Sequence, residues 1–422
     1  MRVLRTQICD FLWFGYVPSV AKSGELFARY ETLLNDATVE IFDWKDLASA
    51  KRLFVRIVEE LTAGNGVDEI CLPLSAGLDS RALLGAALEV FPADKICAFT
   101  LGHDGTDDFD RARHFTRDLL PNHLKIESVL QAWDTADRVT QVRRRADDHV
   151  TGLGEFSGIA STELREMKRS PQLKGFLGDA LSGKKLPNCL SGRWADATYF
   201  YAHRFRAHKG PIAVTPTDYD PITALPNRPF GGGARMLLDD QIQFVFRQEQ
   251  HIRRSFAGRP GPRSKLAHPI FPFDDPRWVR SFLLLPTQLR LQQPFYRHFL
   301  ANAFPRIFPD LRDWRSAQAL KAPPPQRDTA ATEAETAQGG DTAKSSKSHI
   351  DFGTIYDQDS SFRGFCRENL TDLSKRKLVD WVDLDSVIYH AENGWAADLG
   401  RILDGLVSLE INLKAGRLSV PT

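Results

Sequence analysis

The chain has 422 residues, of which 42% are hydrophobic and 26% are charged, as in an ordinary soluble globular protein. Its formal net charge of +1 gives no argument for binding nucleic acid or an acidic membrane. No apolar run reaches the length of a membrane span, and Asp10 interrupts the N-terminal stretch that resembles a signal peptide. The five scattered cysteines form no C-x-x-C pair, which favours a reducing compartment, so we expect a cytoplasmic protein.

The first third of the chain alternates between helix and strand patterns. Helix, strand, helix, strand, helix and strand follow one another at residues 47–63, 69–74, 81–90, 95–101, 108–120 and 123–129. This alternation predicts an α/β fold, in which an open parallel sheet carries helices on both faces. Sheets of this kind bind their ligands at the carboxyl ends of the strands.

Beyond these elements the pattern is less regular. Residues 130–170 are predicted to be mostly helical, and a short apolar run at 173–183 is broken by Gly178 and Asp179. Residues 184–235 are predicted to be irregular, whereas helices are predicted at 236–256 and 294–309. The expected divisions are a lead-in at 1–46, a main domain at 47–320, a disordered linker or loop at 321–349 and a C-terminal helical segment at 350–422.

The most informative stretch is ICLPLSAGLDSRALLG, residues 70–85, where a buried strand passes through small and polar residues into a helix. Gly77 would let the backbone approach a bulky anion, and the first N–H groups of the helix would attract a phosphate. Ser75 and Ser80 could add hydroxyl donors, while Asp79 suits a phosphate that arrives with Mg²⁺. A simpler alternative is that Asp79 or Ser80 caps the helix and Gly77 makes a turn, but the position between strand and helix favours a phosphate site.

The stretch PLSAGLDSRALLGA resembles the pyrophosphate loop, S-G-G-x-D-S, of the adenine nucleotide α-hydrolases, and more narrowly the synthetase domain of asparagine synthetases. Three further segments are similar to that family, in matching order over residues 11 to about 310. They are FLWFGYVPS at 11–19, LKGFLGDALSG at 173–183, and HPIFPFDDPRWVRSFLLLPTQLRL at 268–291, which contains Pro272-Phe273-Asp274-Asp275. The first motif is fairly specific to the family. The other three are weak individually, and they support the resemblance mainly because they occur in the same order.

The resemblance implies a defined chemistry. ATP would bind with Mg²⁺, and a substrate carboxylate would attack its α-phosphorus and release pyrophosphate. Ammonia or an amine would then capture the acyl-adenylate to give an amide and AMP. The protein would mainly supply positioning and charge neutralisation.

The resemblance also implies roles for individual residues. Asp79 and Asp179 would hold Mg²⁺ and pyrophosphate, with Asp179 at the second signature. Arg297, in FYRHFL, lies where the family has a basic residue that neutralises the transferring phosphate; a solvated surface arginine is the alternative. The expected nucleotide-binding positions, which include those that would meet adenine and ribose, are Leu74, Ser75, Ala76, Gly77, Leu78, Asp79, Ser80, Thr100, Gly102 and Gly178.

The sequence departs from the family pattern at two positions. Ala76 replaces the second Gly of the loop, which would cost about 1 kcal/mol if this position needed a positive φ. Ala180 replaces the Glu that is expected to act as base for the incoming amine. Glu155 and the pair Asp147–Asp148 are possible substitutes, although acidic residues in that stretch are more typical of a solvated surface.

The family's glutaminase domain, which begins with a nucleophilic Cys, has no counterpart near Arg2, so the resemblance implies that the chain does not hydrolyse glutamine. Ammonia would come from a partner, such as a separate glutaminase or a biosynthetic-cluster protein, or the nucleophile would be an amine on a larger substrate. We therefore expect an ATP-dependent amide ligase that lacks its own glutaminase. Two alternatives remain open: a tailoring enzyme for a peptide macrolactam or a polysaccharide precursor, and a nucleotide-binding scaffold without catalysis.

Overall fold

A computed structural model provides the structure of the protein. The residues it describes are 2–63, 68–102, 112, 116, 119–120, 123–127, 170–207, 213–231, 235–255, 269–316, 356–357, 360–393, 399–416 and 418. Several predictions lie outside these residues: most of the helix at 108–120, the helical region up to 169, the substitute bases at 147, 148 and 155, and the linker at 321–349.

Five parallel strands form one sheet. In chain order they are β1 (Ile70–Pro73), β2 (Ile96–Gly102), β3 (His123–Glu127), β4 (Gln172–Leu173) and β5 (Pro269–Ile270). The sheet is wholly parallel and the chain is rich in helix, so the predicted α/β class is confirmed. Residues 70 to 72 are fully buried, as expected for a strand covered on both faces.

The order of the strands across the sheet is β3-β2-β1-β4-β5. From β1 the chain first adds β2 and β3 on one side, and later β4 and β5 on the other. The direction of growth therefore reverses between β1 and β4, whose register pairs Cys71 with Gln172. In an open parallel sheet such a reversal opens a crevice at the carboxyl ends of the two strands.

The helices of the described part include every helix that the sequence predicts there. They are α1 (Arg2–Phe14), α2 (Val20–Asn35), α3 (Leu47–Ala63), α4 (Leu78–Val90), α5 (Gly178–Leu181), α6 (Trp194–Arg204), α7 (Leu238–Ser255), α8 (Pro276–Leu283), α9 (Thr287–Arg290), α10 (Pro294–Ala303), α11 (Ser360–Arg376), α12 (Leu384–Glu392) and α13 (Leu399–Lys414). Across these ranges no helix has both the length and the apolar character needed to cross a membrane.

One expectation about the helices is wrong. Residues 184–235 were expected to be irregular, yet this region contains α6. Its buried residues Ala197, Tyr201 and Ala202 recur at helical spacing and pack in a cluster with Phe246 of α7. The run of three aromatic residues at 199–201 hides this spacing in the sequence, because Tyr199 is exposed and only Tyr201 is buried.

The main hydrophobic cluster surrounds the sheet and takes side chains from α2, α3, α4, α8 and α10. A second cluster joins the two ends of the chain, because Leu4, Ile8 and Leu12 of α1 pack with α11, α12 and α13. The sequence placed α1 in the lead-in and these C-terminal helices in a separate segment. The structure shows that they share one core, and the domain boundaries themselves stay a prediction.

Candidate functional site

The loop after β1 lies at the reversal of the sheet. The Leu74 backbone N–H donates to the Phe99 carbonyl of β2 at 2.8 Å, so the chain keeps its strand partner through this residue. Helix α4 begins at Leu78, with Gly77 in the N-cap position. Residues 75 to 77 are therefore a short connection from the carboxyl end of a buried strand to the N-terminus of a helix, as the sequence predicts.

The two serines of the loop hydrogen-bond to each other. Ser75 Oγ lies 2.9 Å from Ser80 Oγ, and Ser80 Oγ also accepts from the Ser75 backbone N–H at 3.1 Å. The Gly77 N–H donates to Ser75 Oγ at 3.2 Å. The hydroxyl groups thus hydrogen-bond within the loop. The simpler alternative, in which Asp79 or Ser80 caps the helix, is not observed, because Gly77 is the N-cap and no side chain makes a capping hydrogen bond.

The backbone is not strained at Ala76, where the sequence departs from the S-G-G-x-D-S pattern of the family that it resembles. Gly77 has φ −62°, and Ala76 is not among the residues with positive φ in the described part of the chain. Because its φ is not positive, Ala76 does not carry the cost of about 1 kcal/mol that such a conformation would impose. Gly77 still matters through space, because a Cβ atom there would lie 3.1 Å from Ser75 Oγ.

The loop after β4 packs directly on Asp79. A Cβ atom at Gly175 would lie 3.1 Å from Asp79 Cβ and 3.3 Å from the Ser80 backbone nitrogen. A Cβ atom at Gly178 would overlap the Asp79 carboxyl group. Leu177, between these glycines, adopts φ +70°, a left-handed conformation that costs a non-glycine residue about 1 kcal/mol. The two glycines therefore allow the Gly-Asp segment to meet the first loop.

Asp79 is the most electrostatically perturbed carboxyl group at this junction. Burial raises its pKa to about 7, and the negative charge of Asp179 acts in the same direction. A hydrogen bond from Tyr296 Oη to Asp79 Oδ1, 2.9 Å long, opposes this shift, as do the positive charges of Lys184 and Lys185. Burial and the neighbouring Asp79 raise the pKa of Tyr296 well above its usual value, so this tyrosine acts as a hydrogen-bond donor.

Asp179 pairs with a cation that the sequence analysis missed. Lys185 Nζ lies 3.2 Å from Asp179 Oδ2, and both side chains are partly buried. Burial lowers the pKa of Lys185, and Asp179 opposes that shift. In the sequence Lys185 stands in the run SGKK, which resembles any solvated turn, so only the fold reveals the pair.

The remaining predicted site residues lie on β2, α5 and α10. Thr100 is buried within β2, and Gly102 ends that strand. Arg297 follows Tyr296 on α10, and its guanidinium carbon lies 5.5 Å from the centre of the Trp314 ring. The contact from α10 to Asp79 is thus made by Tyr296, which the sequence analysis passed over in favour of its neighbour. Ala180 is buried in the main hydrophobic cluster beside Leu181.

The donor set at this junction suits a magnesium ion that brings its own phosphate ligands. Asp79 and Asp179 could supply two carboxylate groups. Within the described ranges, no group of three or more His, Cys, Asp or Glu side chains is placed to hold a metal ion by itself. Mg²⁺ is usually bound through one or two carboxylates together with water and substrate phosphates. The residues therefore fit the predicted ion, provided that a polyphosphate completes its coordination.

No protein-family model and no curated protein matches this chain. The resemblance to asparagine synthetases therefore stays a prediction that depends on four stretches of sequence. The function has to be argued from the geometry of the site.

Proposed function

We propose that this protein is an ATP-dependent, AMP-forming amide ligase of the asparagine-synthetase type, with an adenine nucleotide α-hydrolase-like fold. One observation carries the proposal: the loops that follow β1 and β4 meet at the reversal of the sheet and bring Asp79 and Asp179 together. Open parallel sheets bind nucleotides at this position, and the first loop leads into a helix N-terminus that favours anions.

The described residues suggest a role for each part of the junction. The N–H groups that begin α4 would hold the pyrophosphate of ATP, with Gly77 leaving room for it. Asp79 and Asp179 would hold Mg²⁺, which neutralises phosphate charge when it is bound. Tyr296 would orient the Asp79 carboxylate, and Lys185 would balance the charge of Asp179. The main contribution of the protein would be to position the carboxylate substrate against the α-phosphorus.

In the amide-forming half of the reaction, the base that deprotonates the amine would have to be a group other than residue 180. Ala180 lies in the apolar core, where it offers no group that accepts a proton. The amine would therefore be deprotonated by another group, or would arrive as free ammonia from a separate glutaminase. A larger acceptor, such as a peptide or a polysaccharide precursor, would bring its own amine.

A nucleotide-binding scaffold without catalysis is the second candidate. Two observations favour it: the absence of a carboxyl group at residue 180, and the hydrogen bond between Ser75 and Ser80, which engages both hydroxyl groups within the loop. A scaffold would still bind ATP with Mg²⁺, but it would never release pyrophosphate.

Exchange between ATP and labelled pyrophosphate separates the two candidates. The purified protein is assayed with Mg²⁺ across a panel of carboxylates that includes aspartate, beside Asp79→Ala and the control Asp313→Ala, whose carboxylate is 94% exposed. Exchange that Asp79→Ala loses and Asp313→Ala keeps would support adenylation, and the active carboxylate would identify the substrate class. Retained ATP binding without exchange for any small acid would favour a macromolecular acceptor or the scaffold.

A further inference from the structure

Arg81 lies on the first turn of α4, directly after the loop that ends at Ser80, and its side chain is only 3% exposed. Its Nη1 and Nη2 atoms donate to the two carboxylate oxygens of Asp310, at 2.8 and 3.1 Å. Its Nε atom donates to the Gly77 carbonyl at 3.4 Å, and the guanidinium lies 4.6 Å from the centre of the Phe308 ring. Each nitrogen of the guanidinium therefore has a partner, and the group is fixed in one place.

Asp310 itself is held firmly. It belongs to the segment Pro309–Arg315, which packs on α10. The Trp314 carbonyl of this segment lies 2.5 Å from Nδ1 of His298 on α10. The same helix carries Tyr296, the donor to the first carboxylate of the candidate site. One helix thus fixes both that carboxylate and, through Asp310, the arginine behind the loop.

The charge of Arg81 is already neutralised. An arginine beside a phosphate-binding loop would ordinarily be expected to pair with phosphate. Here a bidentate contact with Asp310 engages the guanidinium, and burial keeps it from solvent, whereas the Asp310 side chain is 37% exposed. The pair therefore offers the loop a fixed geometry and little net positive charge.

That geometry acts on the peptide group between Gly77 and Leu78. The Gly77 carbonyl accepts from the Arg81 backbone N–H and from Ser80 Oγ, both at 3.4 Å, in addition to Arg81 Nε. In a planar trans peptide the C=O and N–H groups point in opposite directions. Holding the Gly77 carbonyl against α4 therefore directs the Leu78 N–H away from the body of the helix, towards the proposed position of the pyrophosphate.

We infer that Arg81 and Asp310 are positioning residues for the pyrophosphate of ATP. Arg81, held by Asp310, fixes the peptide between Gly77 and Leu78 so that its N–H is presented to a phosphate oxygen before the nucleotide arrives. Neither side chain touches the phosphate. The inference rests on the proposed nucleotide site, and it adds which residues pre-organise the phosphate end of that site.

Isothermal titration calorimetry on the full chain tests this role without requiring turnover. The probes are ATP with Mg²⁺, and adenosine, which lacks the phosphates. Arg81→Lys keeps the positive charge but cannot make all three contacts, and Asp310→Asn removes a negative charge. Each variant is expected to bind ATP about tenfold more weakly, the effect of losing one aligned hydrogen bond to a charged group, with adenosine affinity unchanged. Asp313→Asn, in the same segment and 94% exposed, is the control that keeps both affinities.

A direct phosphate contact by Arg81 predicts different results. Arg81→Lys would then keep its affinity for ATP, and Asp310→Asn would bind ATP more tightly, because the guanidinium would be released and a negative charge removed. Either result overturns the inference. Equal losses of ATP and adenosine affinity also overturn it, since the pair would then only maintain the fold. Arg81→Lys retains a charge pair with Asp310, so it carries the test even where loss of the carboxylate unfolds the chain.

The same titrations distinguish this inference from the proposed function. A wild-type protein that binds neither ATP nor adenosine would overturn both. Normal ATP binding without pyrophosphate exchange would count against the ligase activity alone. Weaker ATP binding in the two variants, with adenosine binding intact, would then still support the positioning role.

Discussion

Gly178 lies so close to Asp79 that any side chain at position 178 would overlap the Asp79 carboxyl group. The contact joins the start of α4, which follows β1, to the start of α5, which follows β4, at the point where the order of strands reverses. The absence of a Cβ atom at position 178, as at Gly175, therefore allows the two segments of the candidate site to meet.

Gly178→Ala is expected to separate these loops. The added methyl group must displace the Asp79 carboxyl group, and overpacking of this kind costs about 1–3 kcal/mol of stability. Urea unfolding measures this cost, and titration with Mg²⁺ and ATP measures the effect on the site. Gly192→Ala is the matched control, because a Cβ atom there meets nothing within 4 Å. Equal stability of the two variants would contradict the packing argument.

Tyr296→Phe is expected to weaken the binding of ATP with Mg²⁺ about tenfold near neutral pH. The change removes the hydrogen bond to Asp79 Oδ1, which is worth about 1.5–3 kcal/mol for a charged acceptor. Because that bond opposes the rise in the Asp79 pKa, its loss raises the pKa further and leaves less carboxylate at pH 7.

Raising the pH restores the Asp79 carboxylate, so the defect of Tyr296→Phe is expected to shrink as the pH approaches 9. Fluorescence titration of the nucleotide over this range follows the effect. Tyr389→Phe serves as the control, because its ring is 62% exposed. A defect that does not change with pH would mean that Tyr296 acts through packing alone.

Asp240→Asn is expected to destabilise the protein by about 3–5 kcal/mol. Asp240 and Arg290 form a buried pair, with side chains 3% and 1% exposed, and the substitution leaves the arginine charge uncompensated. Asp196→Asn breaks an exposed pair with Arg193 and is expected to cost at most about 1 kcal/mol. Chemical unfolding of both variants gives the two free energies of unfolding. Similar losses of stability would show that burial does not determine how much the Asp240–Arg290 pair stabilises the protein.

The stability of the protein is expected to depend on pH through Asp10. Burial raises the pKa of this carboxyl group to about 6, and a hydrogen bond from Tyr219 at 2.8 Å partly offsets the shift. The folded chain therefore binds more protons than the unfolded chain between about pH 4 and pH 6, so the Asp10 contribution to stability falls as the pH rises through this window.

Asp10→Asn removes this dependence while keeping an acceptor for Tyr219. Relative to the wild type, the variant is expected to gain stability from about pH 4 to pH 7, by at most about 3 kcal/mol for a shift of roughly two units. Unfolding free energies of both proteins across the range test the expectation, with Asp313→Asn as an exposed control. A difference that is flat with pH would contradict a raised pKa at Asp10.

Much of the fold follows from local sequence. Apolar runs of six or seven residues predicted β1, β2 and β3, and helical spacing predicted α3 and α7 to within about two residues, because both signals lie within a single element. The two-residue strands β4 and β5 were not predicted, since they are too short to show a pattern. The helix α6 was missed, since its exposed Tyr199 masks the buried stripe formed by Ala197 and Tyr201.

For the candidate site, the sequence by itself determined that the stretch from Ser75 to Ser80 connects a buried strand to a helix, and that a second segment with small residues carries Gly178 and Asp179. Small residues at a strand end are a local signal, so one chain suffices to find them. Only the tertiary structure decided that Tyr296 donates to Asp79 and that Lys185 pairs with Asp179. The partners of the first pair lie on α4 and α10, far apart in the chain, and Lys185 reaches Asp179 through a turn without a distinctive pattern. Packing around the sheet, which no local signal encodes, sets these contacts.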